Sequence, residues 1–371
     1  MENVEDANIM KLINALVYGY GGRECALANA IAESPLINKL FTLRDFHINN
    51  SEVIDMKNKN YKEQAKFITE CGINLVIICD EKALCDGITD IFNRNNIAVI
   101  GINKTFSQLE SSKSFSKKFM DKYGINNTKT LTDKSEVYPQ MIKDNGLCKG
   151  KDCQYIVNTP TEKCSAIDKL KPKNHLIEEY LEGKKIYVVT YLTGDTFTNF
   201  LPVEIINNGN TAICPANLNA NQRLKLNVYL CKLEYGLKLE DANFNGFITS
   251  ELVWAYDGWC VVEYNISLAK LTAETLLTHI KSDIMDTLLT GSTPQYNEET
   301  SATQILKASQ EQINKEIIIP ENKDIKKYYD SVRFVNNTII STGNSLMKLS
   351  TNSKNPIDDL QAYCSGIQIK D

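Results

Sequence analysis

The sequence predicts an α/β protein whose N-terminal part is a doubly wound parallel sheet. Apolar strands alternate with amphipathic helices from about residue 13, and residues 73–79 form a nearly continuous apolar run. A glycine-rich turn, Gly19 to Gly22, joins the first strand to the first helix.

Ile13–Tyr18 reads as the first strand, and Arg23–Glu33 as a helix with Leu27, Ala30 and Ile31 inward, closed by Ser34 and Pro35. Lys39–Leu43, Ile73–Cys79 and Ile97–Ile100 are further strands. Ile73–Cys79 lacks the polar alternation of a half-exposed strand, so it belongs where both faces are covered. Helices at about Tyr61–Cys71 and Leu84–Asn93 fill the gaps, giving a first domain over residues 10–105.

Residues 108–125, QLESSKSFSKKFMDKYGI, predict an amphipathic helix over Ser112–Tyr123. Phe115, Phe119, Met120 and Tyr123 share its apolar stripe, Lys113 lies in its first turn and Gly124 is placed to cap its end. Short strands and hairpins follow. Ile186–Leu192 and Phe197–Val203 flank a turn at Gly194-Asp195, and Phe247–Ala255 and Trp259–Asn265 flank one at Asp257-Gly258. A helix is expected over Thr272–Leu289. Residues 301–316 read as polar and weakly helical, Val332–Val335 and Ser345–Leu349 as strands, and Ile357–Cys364 as a last helix.

With 371 residues the chain can hold two or three domains, and its 43% hydrophobic and 23% charged residues are ordinary for a globular protein. A net charge of -5 without a dense Lys/Arg tract argues against nucleic-acid binding. No apolar run approaches the roughly 18 residues of a membrane span. The acidic opening, residues 1–9, lacks the order of a signal peptide, so a cytoplasmic location is expected. The 11 cysteines show no framework spacing and suit free thiols in a reducing compartment. Cys148 and Cys153 have no second Cys or His pair to complete a tetrahedral metal site.

A glycine turn opening a helix presents backbone N–H groups to an anion, so Gly19, Gly21 and Gly22 form a candidate phosphate cradle. The third glycine comes too early for a dinucleotide fingerprint, and no acidic residue ends the second strand, which counts against a nicotinamide-dependent dehydrogenase. In the strand CVVEYNI, Glu263 and Asn265 stand at i and i+2, on one face, where two oxygen donors can share a magnesium ion.

The order of these segments resembles the phosphoribosylamine–glycine ligases of the ATP-grasp superfamily. That family carries a Gly-x-Gly-Gly-Arg-Glu turn followed at a similar distance by Gln-Leu-Glu-x-Ser-Lys-x-Phe. The resemblance implies the doubly wound domain, an ATP-grasp body at residues 106–290 with a lid at about 124–182, and a small α+β domain at 291–371. It places phosphoribosylamine at Gly19, Gly21, Gly22, Arg23 and Glu24, with Glu81 in a second matching loop, Leu75 to Gly87. Residues 141–153 are similar to the lid. There Lys143 would meet ATP phosphates, Gly146, Gly150 and Lys151 would form the mobile loop, and Lys113 would be a second lysine on ATP. Glu178 and Glu179 match the strand that holds adenine and ribose, and Glu263 and Asn265 match the magnesium ligands.

Departures from the pattern cluster where the chemistry would be. The family's histidine after the glutamate is Cys25; Gly and two prolines of the second loop are Cys79, Asp80 and Ala83; the last lid glycine is Asp152; and a Glu-Glu pair is Lys184 and Lys185. The arginine that would neutralise the transferring phosphoryl group is Ser267, its aspartate neighbour is Lys270, and the substrate loop is reduced to VEIINNGNTAIC between Pro202 and Pro215. Two readings follow. One is a ligase joining glycine to 5-phosphoribosylamine with ATP and magnesium, acting on small molecules without nucleic acid or membrane. The other is a degenerate relative that keeps the scaffold and weak nucleotide binding. No catalytic side chain, oligomeric state or protein partner is assigned by the sequence.

Overall fold

The computed structural model describes residues 13–147, 153–170, 175–330, 332–335, 338–342 and 344–370. The first unit alternates β1 (Ile13–Tyr18), α1 (Gly22–Ala32), β2 (Ile37–Thr42), β3 (Ser51–Val53), α2 (Tyr61–Glu70), β4 (Leu75–Ile78), α3 (Glu81–Asp86), α4 (Ile88–Arg94) and β5 (Ala98–Ile100). All its strand pairs are parallel, in the order β3-β2-β1-β4-β5. The chain thus winds outward from β1 and then returns to start again at β4. Beyond the carboxyl ends of two such strands an open α/β sheet leaves its ligand crevice. The glycine turn follows β1, and Asp80 and Glu81 follow β4, so both flank that crevice. In β4, Val76 and Ile78 join one core cluster while Leu75 and Ile77 join the other, as expected of a strand covered on both faces.

α5 (Gln108–Ser111) and α6 (Lys113–Lys122) lead into a small lid. It comprises β6 (Thr130–Leu131), β7 (Gln140–Asp144), β8 (Gln154–Val157), α7 (Pro160–Lys169) and β9 (His175–Glu179), with an antiparallel sheet in the order β6-β9-β7-β8. Its own core is small: Ile142, Val157, Ala166, Leu170 and Ile177.

The body follows as β10 (Lys185–Thr193), β11 (Thr196–Asn199), β12 (Val203–Ile206), β13 (Thr211–Cys214), α8 (Ala220–Leu239), β14 (Gly246–Ala255), β15 (Gly258–Asn265), α9 (Thr272–His279), α10 (Ile284–Thr290) and β16 (Thr300–Lys307). The last part adds β17 (Glu316–Ile318), β18 (Lys326–Tyr329), β19 (Val332–Val335), β20 (Thr338–Ser341), β21 (Ser345–Ser353), α11 (Pro356–Ser365) and β22 (Gln368–Ile369). A nine-stranded sheet runs β15-β14-β10-β12-β13-β16-β21-β18, with β11 paired to β10. The chain beyond residue 290 therefore continues the central sheet, and β19-β20-β17-β22 form a separate small one.

Several sequence expectations are corrected. The helix expected over Leu84–Asn93 is two, because Gly87 takes a left-handed φ of 92° between them. The helix over Thr272–Leu289 also divides, since Asp283 accepts the amide of Met285 and starts α10 afresh. Residues 300–307 are β16, paired on both edges with β13 and β21, although their polarity suggested a helix. The expected strand Phe197–Val203 is the end of β11 and the start of β12, separated at residues 200–202. The last hairpin turn sits one residue earlier, on Tyr256 and Asp257, with φ of 52° and 56°. The 20-residue α8 was not anticipated at all. Nine described cysteines are free, but Cys153 is disulfide-bonded, contrary to the expectation of free thiols throughout.

Candidate active site

Two cavities meet at one carboxylate. The first, about 500 Å³, lies in the crevice of the parallel sheet and is lined by Gly21, Gly22, Arg23, Glu24, Asp80, Glu81, Glu110, Glu251, Asn265, Lys270, Asp330 and Lys348 among others. The second, about 280 Å³, lies between lid and body, lined by Lys143, Glu178, Glu179, Gly183, Lys185, Glu251 and Glu263 among others. Glu251 belongs to both walls. On β15, Glu263 faces the second cavity and Asn265 the first, so the expected metal strand stands where the cavities join.

Gly19 has a φ of 147°, and a side chain there would collide with the folded-back Glu24. That fold-back is a capping box: the Glu24 carboxylate accepts the Gly21 amide at 2.9 Å, so the turn already holds one carboxylate of its own. Arg23 extends across the first cavity. It pairs with Glu24 at 3.0 Å and with Glu81, and Nη1 donates to Ser267 Oγ and Leu268 O, each at 3.2 Å. Ser267, at the family's arginine position, is thus occupied by a guanidinium delivered from the glycine turn. Lys348 comes from β21, and its Nζ would stand 2.5 Å from a Cβ added at Gly22. It is paired at 2.6 Å with Glu274, a fully buried carboxylate on α9.

In the lid cleft, Glu178 is held between Lys117 at 2.8 Å and Lys143 at 3.0 Å. Burial alone would raise the Glu178 carboxyl, but the two ammonium groups hold it below the usual range. Lys143 is 2% exposed and stays charged despite burial because Glu178 and then Glu263 face it; it also donates to Val262 O at 3.1 Å. Glu179 is engaged as well, accepting the Lys129 amide and the Tyr256 hydroxyl at 2.9 and 2.8 Å. The two lysines that replace family glutamates are each neutralised: Lys184 by Glu204 at 3.0 Å and Lys185 by Glu251 at 2.5 Å. Tyr187 also donates to Glu251 at 2.6 Å. The charge reversal at 185 is therefore local, and the cleft does not gain a free cation there.

Lys113 lies 3.5 Å from Glu263 and 3.4 Å from Gly146 O, beside the metal strand as well as the start of the lid loop. Gly150 and Lys151, expected in that loop, lie outside the described residues. Glu263 opposes Glu251 across β14 and β15. With Asn265 they offer oxygen donors of the kind magnesium takes, and the Glu251 carboxylate is already bound to Lys185. Among the described residues no group of three or more His, Cys, Asp or Glu side chains is arranged to hold a metal by itself.

Sequence reasoning singled out Glu263 and Asn265 but passed over Glu251, Glu110, Lys348 and Asp330. Glu110 lies inside the QLES segment and was visible there. Glu251, Lys348 and Asp330 are brought in by strand pairing over long sequence separations and leave no local signal.

A family model described as "Phosphoribosylglycinamide synthetase, N domain" matches residues 13–110. A phosphoribosylamine–glycine ligase of Fusobacterium nucleatum is 27% identical over 311 residues, covering 74% of this chain and 72% of that protein. The Lactococcus lactis ligase is 25% identical, with 90% of each covered. The chain resembles the phosphoribosylamine–glycine ligases over most of its length. A solved phosphoribosylamine–glycine ligase from Thermotoga maritima superposes with a TM-score of 0.78 at 17% identity, covering 96% of this chain and 98% of that one. A biotin carboxylase from Campylobacter jejuni in complex with an ATP analogue superposes with a TM-score of 0.75. The fold of the chain is accordingly the fold of these proteins, the ATP-grasp fold. The long substrate loop of the family pattern is here the tight hairpin β12–β13, turned through Asn207–Gly209.

Proposed function

We propose that this protein ligates glycine to 5-phosphoribosylamine at the expense of ATP, with slow turnover. The observation that carries this is the junction of the two cavities at Glu251, Glu263 and Asn265, because phosphoryl transfer needs its donor and acceptor sites to open on one point. In this reading the lid cleft takes ATP, with Lys143, Lys113, Glu178 and Glu179 around it. The glycine turn, Arg23, Glu24 and Glu81 hold phosphoribosylamine. Glu263 and Asn265, with Glu251 beside them, would hold magnesium, which supplies charge neutralisation to the phosphates.

The glycine carboxylate takes the γ-phosphoryl group, giving glycyl phosphate and ADP. The phosphoribosylamine nitrogen then attacks the acyl carbon, the C–N bond forms and phosphate leaves. No protein nucleophile enters either step. What this chain contributes is position and charge. The Arg23 guanidinium at Ser267 puts a cation close to where the family arginine stands, though engaged with Glu24 and Glu81. The short β12–β13 hairpin removes the segment that would orient substrate, and Lys143 and Glu178 must part before Lys143 can meet a phosphate.

Those engagements also support a second reading, a degenerate ligase with weak nucleotide binding. One assay separates them: phosphate release with phosphoribosylamine, glycine, ATP and magnesium, alongside complementation of a purine auxotroph. The ligase reading expects substrate-dependent release well below a typical enzyme rate of about 10 s⁻¹. Absence of release with intact, folded protein leaves the degenerate reading.

A further inference from the structure

We propose that Glu110 recognises the amine of the ligand in the glycine-turn cavity, accepting a hydrogen bond from it while the turn and nearby cations take the phosphate. The inference rests on the reading of this cavity as the phosphoribosylamine site. Glu110 sits on α5, is 7% exposed, and lines the cavity. One carboxylate oxygen accepts the Ile266 amide at 2.8 Å, which fixes the side chain in place. None of the described lysines or arginines forms an ion pair with it; Arg23 is committed to Glu24 and Glu81, and Lys348 to Glu274.

A buried carboxyl without a cation is costly unless a ligand supplies one. Glu81 lines the same cavity and adds negative potential beside it, which favours a cationic group there. The cavity holds groups of both signs. Its wall carries Lys270, without a carboxylate partner among the described residues, and the N-terminus of α1, which favour an anionic group, together with the carboxylates Glu110, Asp80 and Glu81, which favour a cationic one. A sugar phosphate bearing an amine can make a charge-assisted hydrogen bond to Glu110, whereas one bearing a hydroxyl offers only a neutral donor.

The bland alternative is that Glu110 merely latches Ile266 and so steadies the loop behind Asn265. Glu110→Gln separates the two, since the amide oxygen can still accept from Ile266 but carries no charge. Calorimetry on the full chain compares ribose 5-phosphate with 5-phosphoribosylamine formed in situ from ribose 5-phosphate and ammonia. The wild type is expected to prefer the amine by roughly 10- to 100-fold, the range for a hydrogen bond to a charged group. Glu110→Gln should abolish that preference, leave ribose 5-phosphate affinity unchanged and not lower Tm. An unchanged preference overturns the proposal. Equal weakening of both ligands with a lowered Tm reduces Glu110 to the latch and also overturns it. If the wild type binds both ligands equally, amine recognition fails while the phosphate reading stands; if it binds neither, the reading of the cavity falls too.

Discussion

Glu178 sits between two ammonium groups in a space almost closed to water, and that geometry makes Lys143 a structural residue as much as a nucleotide contact. Removing one partner of a buried pair leaves an uncompensated charge. Lys143→Met is therefore expected to cost about 2–4 kcal/mol in urea unfolding, somewhat less than a full pair because Lys117 remains. Glu110 has the opposite character, a buried acid whose ionisation is opposed. Its pKa is about 8 in the folded chain against 4.5 as an ordinary glutamate, so between those values the folded state holds the extra proton. Stability attributable to this group is thus greatest at low pH and falls as pH rises through that window. Thermal melts from pH 5 to 9 should show wild type losing more Tm than Glu110→Gln, and parallel curves would show that the group titrates normally. At this scale the sequence was informative about type: a Gly19–Glu24 turn and a Glu263/Asn265 pair could be read directly. It was silent about engagement, because partners such as Glu178 for Lys143 and Glu251 for Lys185 lie 35 and 66 positions away and meet only across strands.

Two turns show how elements set the cleft. Gly183 connects β9 to β10 with its α-carbon against the Trp254 carbonyl, and an added Cβ would stand 2.2 Å from that oxygen. Gly183→Ala must push β10 away from β14, so a loss of about 1–3 kcal/mol by chemical denaturation is expected, the usual range for overpacking, together with weaker binding of magnesium ATP. At the β14–β15 hairpin, Tyr256 adopts a left-handed φ of 52° while 70% exposed. Such turns favour Asn, so Tyr256→Asn should raise stability by roughly 0.5–1 kcal/mol, measured the same way, less whatever its exposed bond to Glu179 contributes. Strands and the first helices were legible because their period matches their burial. α8 was not, since Leu226, Leu233 and Leu237 are buried while Leu224, Val228, Tyr235 and Leu239 are exposed, leaving no polar face to mark it. β16 misled for the complementary reason: Ser301, Ala302 and Thr303 are buried by pairing on both edges, which small polar side chains do not announce.

Across the whole molecule, the Lys348–Glu274 pair ties β21 to α9 directly against the α1 N-terminus, so three distant segments close the glycine-turn cavity. Lys348→Met strands a fully buried carboxylate; a loss of about 3–5 kcal/mol is expected, with weakened ribose 5-phosphate binding, and an unaltered urea midpoint would show the pair to be dispensable. By itself the sequence determined the fold class, the resemblance to the ligases and the glycine turn that opens the first helix. These depend on local conformation and on motifs that keep their order: glycines where φ must be positive, alternating apolar strands, and a helix signature at a set distance from the turn. Only the tertiary structure decided which charges are free and which are spent. It neutralised Lys184 and Lys185, drew Arg23 to Ser267, brought Glu251 between two cavities and left Glu110 without an ion pair among the described residues. The physical reason is range: backbone preference acts over a few neighbouring residues, whereas charge in a low-dielectric interior is settled by whichever distant groups packing brings within a few ångströms.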